Sequence, residues 1–133
     1  MNLKVRRLTE EPGEDELGEG YSGVNSVWVV LKRADLAAFS CRIFRMEPDG
    51  HTPMHAHGRE HVAVVIRGTC RVECGSQVED VGEGCIIRVP PNAAHSFSNP
   101  TKERLVLLVM NLYVEPGKTV KDASGPSVVG ETP

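Results

Sequence analysis

The chain has 133 residues and a formal net charge of −3, with 40% hydrophobic and 25% charged residues. That length makes one domain with room for a real core. No Lys/Arg stripe forms, which argues against a nucleic-acid partner, and no apolar run approaches a membrane span. The N-terminus carries no apolar stretch of the signal-peptide kind, so a cytoplasmic protein is expected.

Residues 1–20 read as an arm or loop. Its Thr9 to Gly20 stretch is acidic and Gly-rich, without period, and either stays solvated or drapes over the domain. The domain is expected over 21–114. Residues 115–133, rich in Pro, Gly, Ser and Thr, read as a flexible tail. Between them the pattern is strands. Val27 to Leu31 is β-branched and aromatic, and Phe39 to Met46 follows, closed by a turn at Glu47 to Gly50. Only Ala34 to Ala38 suits a helical turn. His61 to Ile66, Thr69 to Cys74, Gln77 to Val81, Cys85 to Val89, His95 to Ser98 and Arg104 to Val114 complete the set. Turn residues recur between short strands, as in an all-β sandwich or barrel.

The four cysteines form no C-x-x-C pair. On a strand, Cys70 and Cys74 lie roughly 13 Å apart, too far for a disulfide. They are expected to be reduced thiols serving as small hydrophobes.

Four of the five histidines cluster in sequence or in expected geometry: His55, His57, His61 and His95. Imidazole is a common ligand for Zn, Cu, Fe and Ni. Strand side chains alternate, so a regular strand from His55 to His61 puts three of these rings on one face and Glu60 on the other. Val62, Val64 and Ile66 share the face of Glu60 and are apolar, while Ala63 and Val65 share that of His61. Both faces therefore want burial, which points to a homodimer. His51 reads as an exposed loop residue.

These residues resemble the cupin superfamily. Its first motif is, in outline, Gly, five residues, His-x-His, three or four residues, Glu, six residues, Gly. Here Asp49, His55-Ala56-His57, His61 and Gly68 stand at those spacings. The second motif is Gly, five residues, Pro-x-Gly, two residues, His, three residues, Asn. Here Gly84, Pro90-Pro91-Asn92, His95 and Asn99 stand there, with fifteen residues between Gly68 and Gly84.

The resemblance implies a jelly-roll barrel (a double-stranded β-helix) with a metal at its mouth, held by His55, His57 and His95. Gly68, Pro90 and Asn92 would be turn residues. Asp49 and Asn92 replace family glycines, and both residue types tolerate left-handed backbone. His61 stands where the family places glutamate. The implied cofactor is one divalent ion (Mn, Fe, Ni, Cu or Zn) in a neutral four-imidazole cage that leaves open positions. An alternative has a bulge near Arg59 swing Glu60 inward. Arg42, Phe44, Met46, Phe97, Leu107 and Val109 are candidates to wall a pocket for a small organic ligand, alongside ordinary packing roles. Trp28 reads as a core or interface residue. No acid/base pair stands beside the histidines. The functional expectation is thus an oxygenase-like metalloenzyme, with a ligand-binding sensor or a structural metal protein as alternatives.

Overall fold

The computed structural model describes residues 3–30, 39–56 and 58–113. Ala34 to Ala38, His57, Val114 and residues 115–133 lie outside them. A short 3-10 helix, Leu8–Glu10, precedes nine strands: β1 Glu14–Asp15, β2 Ser22–Val30, β3 Phe39–His51, β4 Arg59–Arg67, β5 Cys70–Cys74, β6 Gln77–Val81, β7 Ile86–Val89, β8 His95–Ser98 and β9 Leu105–Tyr113. β6 and β8 match their expected bounds, and the other expected strands in the described region differ by a few residues at their ends. β3 is the exception: it runs through the expected turn. Pairing of β2 with β3 jumps from Val24↔Met46 to Ser22↔His51, so Glu47–Gly50 forms a bulge inside a continuing strand.

All pairings are antiparallel. The order is β6-β5-β8-β3-β9-β4-β7, with β2 on β3 and β1 on β2. β8 joins through the far end of β3, at His51↔Ser98, so the sheet curls and faces itself. This is the all-β, jelly-roll architecture expected from the sequence. The arm does drape: β1 pairs with β2, and Arg45 donates to the Leu8 and Glu11 carbonyls at 2.8 and 2.9 Å.

Register stacks the inner residues in rungs. From the deep end, Val24, Met46 and Leu105 align across β2, β3 and β9. Above them lie Ser26, Phe44, Leu107 and Val65, then Trp28, Arg42, Val109, Ala63 and Ile87. The last rung is Ser40, Asn111, His61 and Val89. Apolar rungs therefore fill the closed end, where Met46, Leu105 and Leu107 are fully buried, and polar side chains collect at the other end. Cys70, Val72, Val81 and Phe97 close the core from the opposing sheet.

Two backbone positions bear out the sequence reading directly. Asp49 (φ 64°) and Asn92 (φ 67°) are the non-glycine residues with positive φ among those described. The cysteines are free, and burial pushes the Cys70 thiol up to about 12, which leaves it inert.

Asn99 ties the elements at the closed end. Its Nδ2 donates to the Met46 and Glu103 carbonyls at 3.1 and 2.7 Å, and its Oδ1 accepts from the Thr101 N–H and hydroxyl at 3.0 and 2.9 Å. Every amide hydrogen-bonding role is used at a site only 1% exposed. Asn99→Ala should cost about 2–4 kcal/mol, because it leaves buried carbonyls without donors. Urea unfolding will measure it, and a loss within experimental error of zero would remove the clip from the account.

Candidate metal centre

The polar rung forms the wall of a cavity of about 260 Å³ at the open end. β4 supplies His61. Its neighbour in sequence, Glu60, faces the other way by strand alternation. There Arg88 grips it through Nη2 at 2.6 Å and Nε at 3.1 Å. The alternative with Glu60 turned toward the cavity is overturned, since β4 runs regularly from Arg59 through Val65 against β9.

β8 supplies His95, which is buried. Its Nδ1 lies 2.9 Å from the Ala93 carbonyl. A carbonyl can only accept, so the proton sits on Nδ1 and the Nε2 lone pair is presented away from the backbone. That Nε2 lies 3.2 Å from Nδ1 of His61. Two nitrogens at about 2.1 Å from one ion stand about 3.0 Å apart at a right angle and about 3.4 Å at the tetrahedral angle. The separation is that of an N–H···N hydrogen bond donated by His61 Nδ1; it also falls between these values, so once that proton is lost the pair stands at a spacing compatible with cis ligation of one ion.

His55 reaches the cavity by another route than the expected one. The chain is not a continuous strand from His55 to His61. Ala56 and Gly58 lie outside any strand, and β4 begins only at Arg59. His55 is instead held by a two-way backbone bridge, its N–H on the His95 carbonyl at 3.2 Å and the His95 N–H on its own carbonyl at 3.1 Å. Its ring centroid stands 6.0 Å from that of His95, at the exposed rim. Parity along one strand was therefore the wrong warrant for His55; a cross-chain bridge brings it to the cavity. His51, at the end of β3, is exposed as expected. Among the described residues no group of three or more His, Cys, Asp or Glu stands close enough to hold an ion. His57 lies outside those residues.

Of the expected wall residues, Arg42, Phe44, Phe97 and Val109 line the cavity. Met46 and Leu107 do not. They point inward but belong to deeper rungs, packed in the core. The sequence reading missed Ser40 and Asn111, which are joined by a 3.1 Å hydrogen bond. Both share the parity of residues it had named, two positions further along their strands. Arg59 also lines the cavity, on the face it shares by parity with His61, while Tyr21 and Thr52 come from segments where no periodicity pointed to them. Trp28 sits at its edge, 36% exposed, and so is not a core residue.

Residues 42–111, just over half of the chain, match the cupin domain model. The chain belongs to the cupin domain family. Solved structures share its fold. The polyketide cyclase RemF from Streptomyces resistomycificus is 22% identical, with 86% of this chain and 82% of that one covered and a TM-score of 0.72. A predicted oxalate decarboxylase from Thermotoga maritima is 18% identical, with 84% and 100% covered and a TM-score of 0.75. A cupin-2 domain protein from Rhodospirillum rubrum is 18% identical, with 93% and 83% covered and a TM-score of 0.67. No curated protein matches the chain in sequence.

Burial holds the His95 imidazole below its ordinary value of 6.5; the Ala93 carbonyl opposes this and His55 adds to it. The unfolded chain thus takes up a proton near pH 6.5, while the folded one does so only at lower pH. The contribution to stability is complete above that value and declines as the pH falls through it. For metal-free protein, Tm should drop between about pH 7.5 and pH 5.5, and His95→Gln should flatten part of that slope. An unchanged slope in the variant would assign the acid sensitivity elsewhere.

Proposed function

We propose that the protein is a metal-binding cupin in which His55, His57, His61 and His95 hold one divalent transition ion (Mn, Fe, Ni, Cu or Zn) and that it acts on a small organic substrate in an oxygenase-like reaction. The observation that carries this reading is the 3.2 Å approach of the His61 and His95 ring nitrogens, with the His95 tautomer set by Ala93. His57 is included on the motif alone. Such an ion would supply Lewis acidity and open coordination positions. Around it, Phe44, Phe97 and Val109 offer apolar walls that exclude water and bury the body of a substrate. Ser40 and Asn111 offer hydrogen bonds at the same level. No carboxylate lines the cavity among the described residues, so proton transfer there would fall to Tyr21 or to an imidazole.

A second reading is a non-catalytic ligand-binding module that acts through a partner protein. The solved structures most like this one carry different names, a cyclase and a predicted decarboxylase, so the fold does not choose the reaction. A cytoplasmic homodimer completes the proposal. Its support is the cysteine usage together with the half-buried Ile43, Val64, Leu108, Met110 and Leu112 on the outer side of the large sheet.

Elemental analysis of protein from its native host should find one transition ion per chain. His61→Ala and His95→Ala should each lose it, and His61→Glu should retain it. Absence of metal from the native protein, or retention in both alanine variants, would overturn the metal reading. Anaerobic loading with Fe(II), followed by oxygen uptake with a panel of small substrates, separates enzyme from sensor. Zero uptake with every redox metal favours the sensor.

A further inference from the structure

Four arginines grip carboxylates through two nitrogens, whereas Arg7 approaches Glu10 through Nη1 alone at 3.5 Å. Arg6 on Glu11, Arg71 on Asp80, Arg88 on Glu60 and Arg104 on Glu47 all engage through the Nε and Nη2 edge. Arg42 departs from this pattern. It meets Glu16 of the N-terminal arm through Nη1 alone, at 2.6 Å. Its Nε is buried and makes no hydrogen bond among the described residues. The edge that binds carboxylates elsewhere in the protein meets no described carboxylate here.

Arg42 also lines the cavity, one rung below His61, and is held in place. Its Cζ lies 4.4 Å from the Phe44 ring centroid and 4.8 Å from that of Trp28. Ser26 donates to the same Glu16 oxygen at 2.9 Å, so the arm braces the guanidinium from outside. A fixed, planar cation beside apolar rings at a cavity wall is suited to an anionic group on a flat apolar body.

We propose that the cavity takes a small organic carboxylate, with its carboxylate group on the Arg42 guanidinium where that side chain lines the wall. Glu16 is the positioning residue that holds the fork. The cavity's 260 Å³ lies below the usual range of roughly 300–1,000 Å³ for ligand pockets, which limits the acid to about the size of a benzoate. The proposal rests on the reading of this cavity as a ligand site, and it deepens that reading by naming the ligand's chemical class.

The test uses full-chain protein stripped of metal with a chelator, because carboxylates also bind metal ions directly. Calorimetric titrations compare benzoate, salicylate, pyruvate and oxalate with benzamide, the neutral isostere of benzoate. At least one carboxylate should bind, and benzoate should exceed benzamide by about tenfold or more, as a charge-assisted fork requires. Arg42→Met should abolish that preference while circular dichroism shows a folded chain. Arg42→Lys, which keeps the charge and loses the fork, should retain a reduced preference. The proposal fails if no carboxylate binds at millimolar concentration, if benzoate and benzamide bind alike, or if folded Arg42→Met keeps the preference. Should the metal reading fail, the measurements on stripped protein still decide the role of Arg42.

Discussion

The register among β3, β9 and β4 is the constraint on which the rest depends. Pairing Ser40 with Asn111 and Asn111 with His61 sets one polar rung, and every rung beneath it follows at intervals of two residues. A slip of one residue would turn Leu105, Leu107 and Val109 outward and bring Val106 and Leu108 inward. It would also put Glu60 where His61 stands. The deep rungs hold the register, since Met46, Leu105 and Leu107 bury fully only in this alignment. The chemistry of the mouth is thus positioned by hydrophobic packing at the opposite end.

Charge is divided between the two faces of the same sheet. On the outer side the buried Glu60 carboxylate is matched by the Arg88 fork. On the inner side imidazoles carry the donor set, and burial keeps His95 toward its neutral form. In the proposed metal site, neutral rings would leave the charge of a divalent ion uncompensated, which would suit an anionic ligand. The Arg42 guanidinium, braced by Glu16, would add to the same field. The N-terminal arm is therefore part of the cavity's architecture: through Glu16 it fixes the orientation of a residue that lines the wall.

Much of this was legible from local chemistry. Alternation along His61 to Ile66 separated the two faces of that strand, because a strand's two-residue period is a property of the backbone itself. Asp49 and Asn92 were read as tolerant of left-handed backbone, and both have positive φ. Met46 and Leu107 show the limit of that method. Parity says which face a side chain takes and nothing of its depth, so core and cavity residues on one strand look alike. Tyr21 and Thr52 come from positions with no period at all.

By itself the sequence determined the strands, their inner and outer faces, the family motifs and the kinds of donor available. Tertiary structure alone decided which of them meet. His55 joins His95 through a backbone bridge between residues forty positions apart, not through a shared strand. Glu16 reaches Arg42 because the arm pairs with β2, and Glu60 is taken up by Arg88 from β7. Such meetings depend on how the sheet curls and where it closes. Those are properties of the whole packed chain, and no local period records them.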